Sequence, residues 1–205
     1  MIDTCDEYLL NWSRYHDFLD QEFMWDLDQK SVVEIGAFTG AQTQIINQHQ
    51  ISKLTLVEPN TQAAQELKKK YSQAKVIASD VFEVYRQENL DCDVVVCLGL
   101  LYHLHSPFYL LENIVNLSNP NVVILDSVQC QFLGQGGLMP DPTNVPGNMF
   151  GNRKIVPYSV SYPFPTIDQA MHSLGYKLIK YHDLSQFKEI VQKSSCWMAR
   201  WEQTT

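Results

Sequence analysis

The chain has 205 residues, 45% of them apolar and 19% charged, with a formal net charge of −8. That length supports one domain with a sizeable core and is short for two; no apolar run approaches the ~20 residues that span a bilayer, and the acidic balance opposes the phosphate backbone of nucleic acid. Asp3, Asp6 and Glu7 ahead of any apolar stretch are the reverse of an export signal, and five cysteines (Cys5, Cys92, Cys97, Cys130, Cys196) without a CxxC pair fit neither a disulfide framework nor a zinc site, so a cytoplasmic protein is expected.

Between Tyr8 and Leu27, the residues Tyr8, Trp12, Tyr15, Leu19 and Phe23 recur at spacings of three and four, which predicts an amphipathic helix with an aromatic stripe. From Ser31 short β-branched runs alternate with polar helical stretches, the pattern of βαβ units. Strands are predicted at Ser31–Ile35, Lys53–Val57, Lys75–Ser79, Cys92–Cys97, Asn121–Asp126, Tyr176–His182 and Cys196–Glu202. Helices fall at Gln42–Gln50, Thr61–Tyr71, Pro107–Leu117 and Thr166–Leu174, with Pro107 suited to a first turn. The expected fold is α/β: a seven-stranded, mostly parallel, doubly wound sheet with helices on both faces. It divides into a helical cap (1–30), a binding core (31–126), an insertion (127–165) and a closing helix with two strands (166–205), all in one domain.

The insertion holds five of the chain's nine glycines and six of its nine prolines. A loop longer than ~15 residues inside a domain is usually a lid, a binding loop or a disordered segment. This one follows a central strand at the sheet's carboxyl edge, where open α/β sheets bind their ligands. It reads as a lid.

The strongest local signal is Val32-Val33-Glu34-Ile35-Gly36-Ala37-Phe38-Thr39-Gly40, a buried strand entering a glycine turn and then a helix. Gly36 permits the tight turn, and Gly40 lets the helix approach the sheet, so a nucleotide can lie across the strand end. A dinucleotide fold needs a second glycine where Phe38 stands, so that the backbone can reach a pyrophosphate. At the end of the second strand, Glu58, followed by Pro59 and Asn60, is placed to accept hydrogen bonds from ribose hydroxyls. After the third strand, Asp80 is offered to an adenine amino group with Val81 and Phe82 as apolar neighbours, or else caps a helix.

Glu34-x-Gly36-x-x-x-Gly40, Glu58 and Asp80 together resemble three successive motifs of the class I, Rossmann-like methyltransferases, over roughly Ser31 to Leu117. The resemblance implies S-adenosyl-L-methionine as donor and S-adenosyl-L-homocysteine as product. Charge agrees, because this donor has no phosphate and Glu34 would sit favourably near its ammonium and sulfonium. The expected cofactor-binding residues are Glu34, Gly36, Ala37, Phe38, Gly40, Glu58, Pro59, Asp80, Val81, Leu98 and Gly99.

The fourth strand runs into Leu98-Gly99-Leu100-Leu101-Tyr102-His103-Leu104-His105-Ser106-Pro107, which looks like the family's fourth motif. Its LYH…SP stretch is similar to that of tRNA wobble-uridine carboxymethyltransferases and of many small-molecule methyltransferases, and implies that the backbone at Cys97 to Gly99 lines the methionine moiety. A sulfonium is already activated, so positioning supplies most of the rate. A hydroxyl or ammonium acceptor must lose a proton, and His103 is the candidate base, with Tyr102 orienting the acceptor. The other reading keeps His103 as a backbone-bonding histidine at the strand-to-helix junction and packs Tyr102 under the lid. No metal is expected, since His103 and His105 lack a third ligand at a recognisable spacing. Metal-dependent catechol-type relatives carry an aspartate where this chain has Leu98-Gly99, and Asp126 reads as a loop anchor.

Acceptor contacts must come from the two variable segments. On the first helix Tyr8, Trp12, Tyr15 and His16 are candidates, although an aromatic stripe is also plain core packing. In the insertion they are Asn148, Asn152, Arg153, Lys154, Tyr158 and Tyr162. The basic pair Arg153–Lys154 suits a carboxylate or phosphate on the acceptor or is a solvated charge pair. The expected partner is a small-molecule acceptor methylated on oxygen or nitrogen, a natural-product intermediate being one class; nucleic acid and membrane are not expected, and a homodimer is compatible with the sequence. Two further readings stay open, an RNA-modifying enzyme and a non-catalytic S-adenosylmethionine-binding partner subunit.

Overall fold

The computed structural model describes residues 12–104, 106–128, 137–140, 158–187 and 196–204; for Trp12, Val128, 137–140 and 158–161 it describes the backbone. Helix α1 (Trp12–Phe23) is followed by β1 (Ser31–Ile35), α2 (Ala41–Ile46), β2 (Lys53–Val57), α3 (Thr61–Lys70), β3 (Lys75–Ile77), α4 (Val81–Gln87) and β4 (Val94–Cys97). Next come α5 (Pro107–Asn113), β5 (Val122–Val128), β6 (Gly137–Pro140), β7 (Tyr158–Ser161), α6 (Phe164–Ser173), β8 (Tyr176–Asp183) and β9 (Cys196–Gln203). Seven strands form one sheet in the order β3-β2-β1-β4-β5-β9-β8, parallel except where β9 runs against both its neighbours; β6 and β7 pair as a separate antiparallel hairpin.

Strand alternation splits the core into two layers. Val32, Leu54, Leu56, Val96 and Ile124 face one side and meet Leu19 and Phe23 of α1, Ile45 and Ile46 of α2 and Leu67 of α3. Val33, Ile35, Val95, Val123 and Leu125 face the other and meet Val84 of α4, Leu110 and Leu111 of α5 and Met171 of α6. Burial on both faces explains why the strands read as continuous apolar runs. On the second layer Trp197 and Trp201 of β9 are fully buried and still satisfied, their indole N–H groups donating to the Tyr162 carbonyl at 2.9 Å and to Asp168 at 2.8 Å.

All seven predicted strands are present, β1 and β2 with the predicted bounds and the other five with shifted ends. The β4 ladder starts at Val94, because Cys92 and Asp93 donate instead to the Ser118 and Ser31 carbonyls. Strand β5 runs on to Val128 because β9 pairs with it along that whole length. Helix α2 stops at Ile46, and α5 gives way to a π-helical turn over Ile114–Ser118. Two elements were not expected: α4, whose seven residues are too few for a clear helical period, and the β6–β7 hairpin within the predicted insertion.

Candidate active site

The carboxyl ends of β1 and β4 run into turns built around positive backbone φ. Gly36 stands at +81°, Gly40 at +80° and Gly99 at +71°, a region in which L side chains are strained. Gly36 has a second reason to be glycine, since a Cβ there would stand 3.3 Å from Leu100 Cδ2. At Gly40 the crowding comes from the last turn of α3: a Cβ would meet Tyr71 Cε2 at 2.8 Å and Leu67 Cδ2 at 2.9 Å. The close approach at Gly40 is therefore with α3, not with the sheet.

Phe38, at the position a dinucleotide fold gives to glycine, is also left-handed, at φ +43°. Such strain costs a non-glycine residue about 1 kcal/mol or more. It is offset by a hydrogen bond, the Phe38 N–H donating to Glu58 Oε2 at 2.8 Å. The other oxygen, Oε1, accepts the Asn60 N–H at 2.7 Å, and Asn60 Oδ1 caps α3 by accepting from the Ala63 N–H at 3.0 Å. Pro59 lies between them with no N–H to compete. Glu58 is thus buried, fixed to both turns, and keeps a further lone-pair direction on each oxygen for a hydroxyl donor. Burial pushes its carboxyl up, and the two N–H bonds pull it back.

Glu34 is the more unusual carboxyl. It is 2% exposed, and its Oε2 accepts the Thr43 hydroxyl of α2 at 2.5 Å. Burial pushes its pKa to about 8, the Thr43 bond opposing and the charge of Glu58 adding to the rise. Across the sheet Asp126 on β5 accepts the Gly99 N–H at 2.6 Å, and burial pushes it to about 7. Among the described residues none of Glu34, Glu58 and Asp126 pairs with a lysine or arginine. Three buried or half-buried carboxyls at one sheet edge form a site that favours a cationic ligand.

Asp80 caps α4, its Oδ1 accepting the Phe82 N–H at 2.9 Å, so the capping role weighed for it is realised while the carboxyl stays at the end of β3 beside buried Val81. Ala37 and Leu98 are buried in the layer that also holds Tyr15. Tyr102 and His103 lie half-buried on a 3-10 turn, Leu101–His103, with ring centroids 4.2 Å apart, and the His103 N–H donates to the Leu100 carbonyl at 2.9 Å.

The acceptor-side candidates separate by position. Tyr15 is buried in the α1–α2 layer, and half-buried His16 beside it has its pKa lowered by that burial. Trp12 opens α1, and Tyr158 opens β7. Tyr162, just after β7, donates its hydroxyl to the Leu104 carbonyl at 3.0 Å, which ties the end of the hairpin to the 3-10 turn that carries Tyr102 and His103. Tyr8, His105, Asn148, Asn152, Arg153 and Lys154 lie outside the described residues. Sequence reading missed the part of Thr43, whose only local signal is a threonine in the first turn of a helix, whereas the loop anchor expected at Asp126 is realised in its bond to the Gly99 N–H.

The model of a family described as a methyltransferase domain matches residues 8–194. No curated protein matches the sequence. Among solved structures, the chain is similar to 1,6-didemethyltoxoflavin-N1-methyltransferase of Burkholderia thailandensis, crystallised with 1,6-didemethyltoxoflavin and S-adenosylhomocysteine (TM-score 0.66, 14% identity, 95% of this chain and 78% of that one). It is similar also to magnesium protoporphyrin IX methyltransferase of Synechocystis PCC 6803 with bound S-adenosylmethionine (TM-score 0.63, 11% identity, 94% and 78%). A protein of Pyrococcus horikoshii provisionally assigned as an RNA methyltransferase shares the fold as well (TM-score 0.61, 14% identity, 95% and 83%). At these identities the likeness is one of fold, and the family match over most of the chain carries the assignment: this chain belongs to the methyltransferase domain family, among the class I S-adenosylmethionine-dependent methyltransferases.

Proposed function

We propose that the chain transfers the methyl group of S-adenosylmethionine to an oxygen or nitrogen atom of a small molecule. The observation that carries the reading is the set of three carboxyls at the ends of β1, β2 and β5 that have no basic partner among the described residues, which suits a donor bearing ammonium and sulfonium charge. Glu58 would receive the ribose hydroxyls on its remaining lone pairs, Asp80 and Val81 would face the adenine, and Glu34 would face the ammonium. Gly36, Ala37, Phe38, Gly40, Pro59, Leu98 and Gly99 supply the surrounding turns. When bound, the donor supplies an activated methyl group; the chain's own residues orient the acceptor and move its proton.

His103 is our candidate proton acceptor, with Tyr102 beside it as the group that orients the acceptor. The segment 127–165 acts as a lid in this reading, on a domain whose cap is 1–30, and Tyr8, Trp12, Tyr15, His16, Asn152, Arg153, Tyr158 and Tyr162 are its acceptor-side candidates. A small-molecule acceptor agrees with the net charge of −8, which gives RNA no general attraction. Among the described residues no helix is long and apolar enough to cross a membrane, and we place the enzyme in the cytoplasm.

The test is calorimetric binding of S-adenosylmethionine, followed by turnover of labelled donor over panels of phenols, amines and carboxylates with bulk tRNA as a separate arm. Donor turnover on a small molecule and not on tRNA supports the proposal. Methylation of tRNA favours the RNA reading, and tight donor binding without turnover on any acceptor favours a non-catalytic subunit.

A further inference from the structure

The pairing of Glu34 with Thr43 joins a strand to the helix behind it. Thr43 is fully buried on α2 and spends its one hydroxyl proton on Glu34 Oε2, at 2.5 Å. A buried carboxylate with a single hydrogen bond is costly to ionise, and a nearby cation changes that balance. We infer that Thr43 is a positioning residue for the donor: its hydroxyl aims the Glu34 carboxyl at the ammonium of the methionine end, and donor binding drives one proton off Glu34. The inference rests on the proposed methyltransferase reading.

Three features support it. Burial pushes the Glu34 carboxyl up to about 8, which favours its protonated form near neutral pH. The ionisable groups whose charge couples to it are Glu58 after β2, which opposes its ionisation, and Cys97 at the end of β4, itself pushed up by burial and by the charges of Asp126 and Glu34. Helix α2 has no ionisable side chain, and α1 packed against it carries Arg14, Tyr15, His16, Asp17, Asp20 and Glu22, none of which interacts with Glu34. Among the described residues no neighbouring cation therefore substitutes for the donor's ammonium. When the cation arrives, the proton on Glu34 leaves to solvent and the Thr43 O–H remains to stabilise the carboxylate that is left.

The experiment is calorimetry of the whole chain with S-adenosylmethionine and S-adenosylhomocysteine, in phosphate and in Tris, at pH 6.5 and pH 8.5. Two buffers of different ionisation heat give the number of protons released. We expect the parent at pH 6.5 to release close to one proton more than Glu34→Gln, a difference that removes the ligand's own amine from the count. Thr43→Val is expected to weaken donor binding about tenfold at pH 6.5 and less at pH 8.5, because the missing hydroxyl makes the carboxylate harder to form. Thr43→Ser should restore the parent's affinity within about twofold. A purely structural threonine would give the same loss at both pH values with an unchanged proton count, and that result overturns the inference. So does equal proton release by the parent and Glu34→Gln. Should Thr43→Val fail to fold, the difference in proton count between the parent and Glu34→Gln and the affinity of Thr43→Ser still decide it. A parent that binds neither ligand takes down the methyltransferase reading too, whereas binding without the extra proton sinks this inference alone.

Discussion

Tyr71 closes over Gly40: its hydroxyl donates to the Gly40 carbonyl at 3.0 Å while its ring edge lies 2.8 Å from where a β-carbon would stand. The last turn of α3 thus clamps the turn between β1 and α2. Gly40→Ala must push back Tyr71 and Leu67 and hold a positive φ, and we expect a loss of about 1–3 kcal/mol. Urea unfolding measures it. Tyr71→Phe, which keeps the ring and drops one hydrogen bond, should cost about 1 kcal/mol; a Gly40→Ala midpoint equal to the parent's would contradict the clamp.

Gly36 borders the same hollow with more room. Gly36→Arg should leave a folded chain by circular dichroism and abolish detectable S-adenosylmethionine binding by calorimetry. Unchanged affinity would remove this turn from the donor site.

Glu58 has two tasks, holding two turns and gripping the sugar, and two substitutions separate them. Glu58→Gln keeps an acceptor for one N–H and should weaken donor binding about tenfold or more while costing little stability. Glu58→Ala leaves the Phe38 and Asn60 N–H groups without that partner and should cost a further 1–3 kcal/mol or so in urea unfolding. Equal stability of the two variants would show that the turns hold without the carboxylate.

His103→Ala is expected to lower single-turnover methyl transfer by about a hundredfold, with donor affinity retained, and to flatten the acid side of the pH–rate profile. Asp126→Asn preserves an acceptor for the Gly99 N–H and should stay within about tenfold of the parent rate. The reverse pattern, in which the limb near pH 7 vanishes with Asp126→Asn and survives His103→Ala, would transfer the proton-accepting role to the β5 carboxyl.

Glu34 makes stability depend on pH in a direction that can be worked out. Its folded pKa of about 8 lies above the unfolded value of 4.5, so the folded state binds the extra proton between those limits. Its contribution is fully present below about pH 4.5 and is lost as pH rises towards 8. Glu34→Gln cannot ionise; relative to the parent it should gain thermal stability steadily from pH 5 to pH 8 in the absence of donor. A constant difference across that range would show that Glu34 is already ionised in the folded chain.

The elements that carry the site were legible because their signals are local. A run such as Val32–Ile35 followed by Gly36 states a buried strand and its turn within a few residues, and Glu58 and Asp80 follow from strand ends that hydrophobic runs mark. Helix α4 was not legible: Val81–Gln87 is seven residues long, and its first two apolar residues were read as neighbours of a ring. Asp126 does anchor a loop, as its place on the fifth strand suggested, but the residue it holds, Gly99, is 27 residues away and no local signal names it.

By itself the sequence determined the α/β class, the seven strands and the three acidic positions at or just after strand ends, because each depends on backbone preference and on period within a short window. Only the tertiary structure decided which groups those carboxyls meet. Glu34 finds Thr43 because α2 folds back against β1, Glu58 finds Phe38 because β1 and β2 are neighbours in parallel register, and Tyr71 reaches Gly40 because α3 ends over that turn. Such pairings are set by strand order and helix docking, quantities that no stretch of sequence contains, and they leave Glu34 and Glu58 buried against partners brought from other elements.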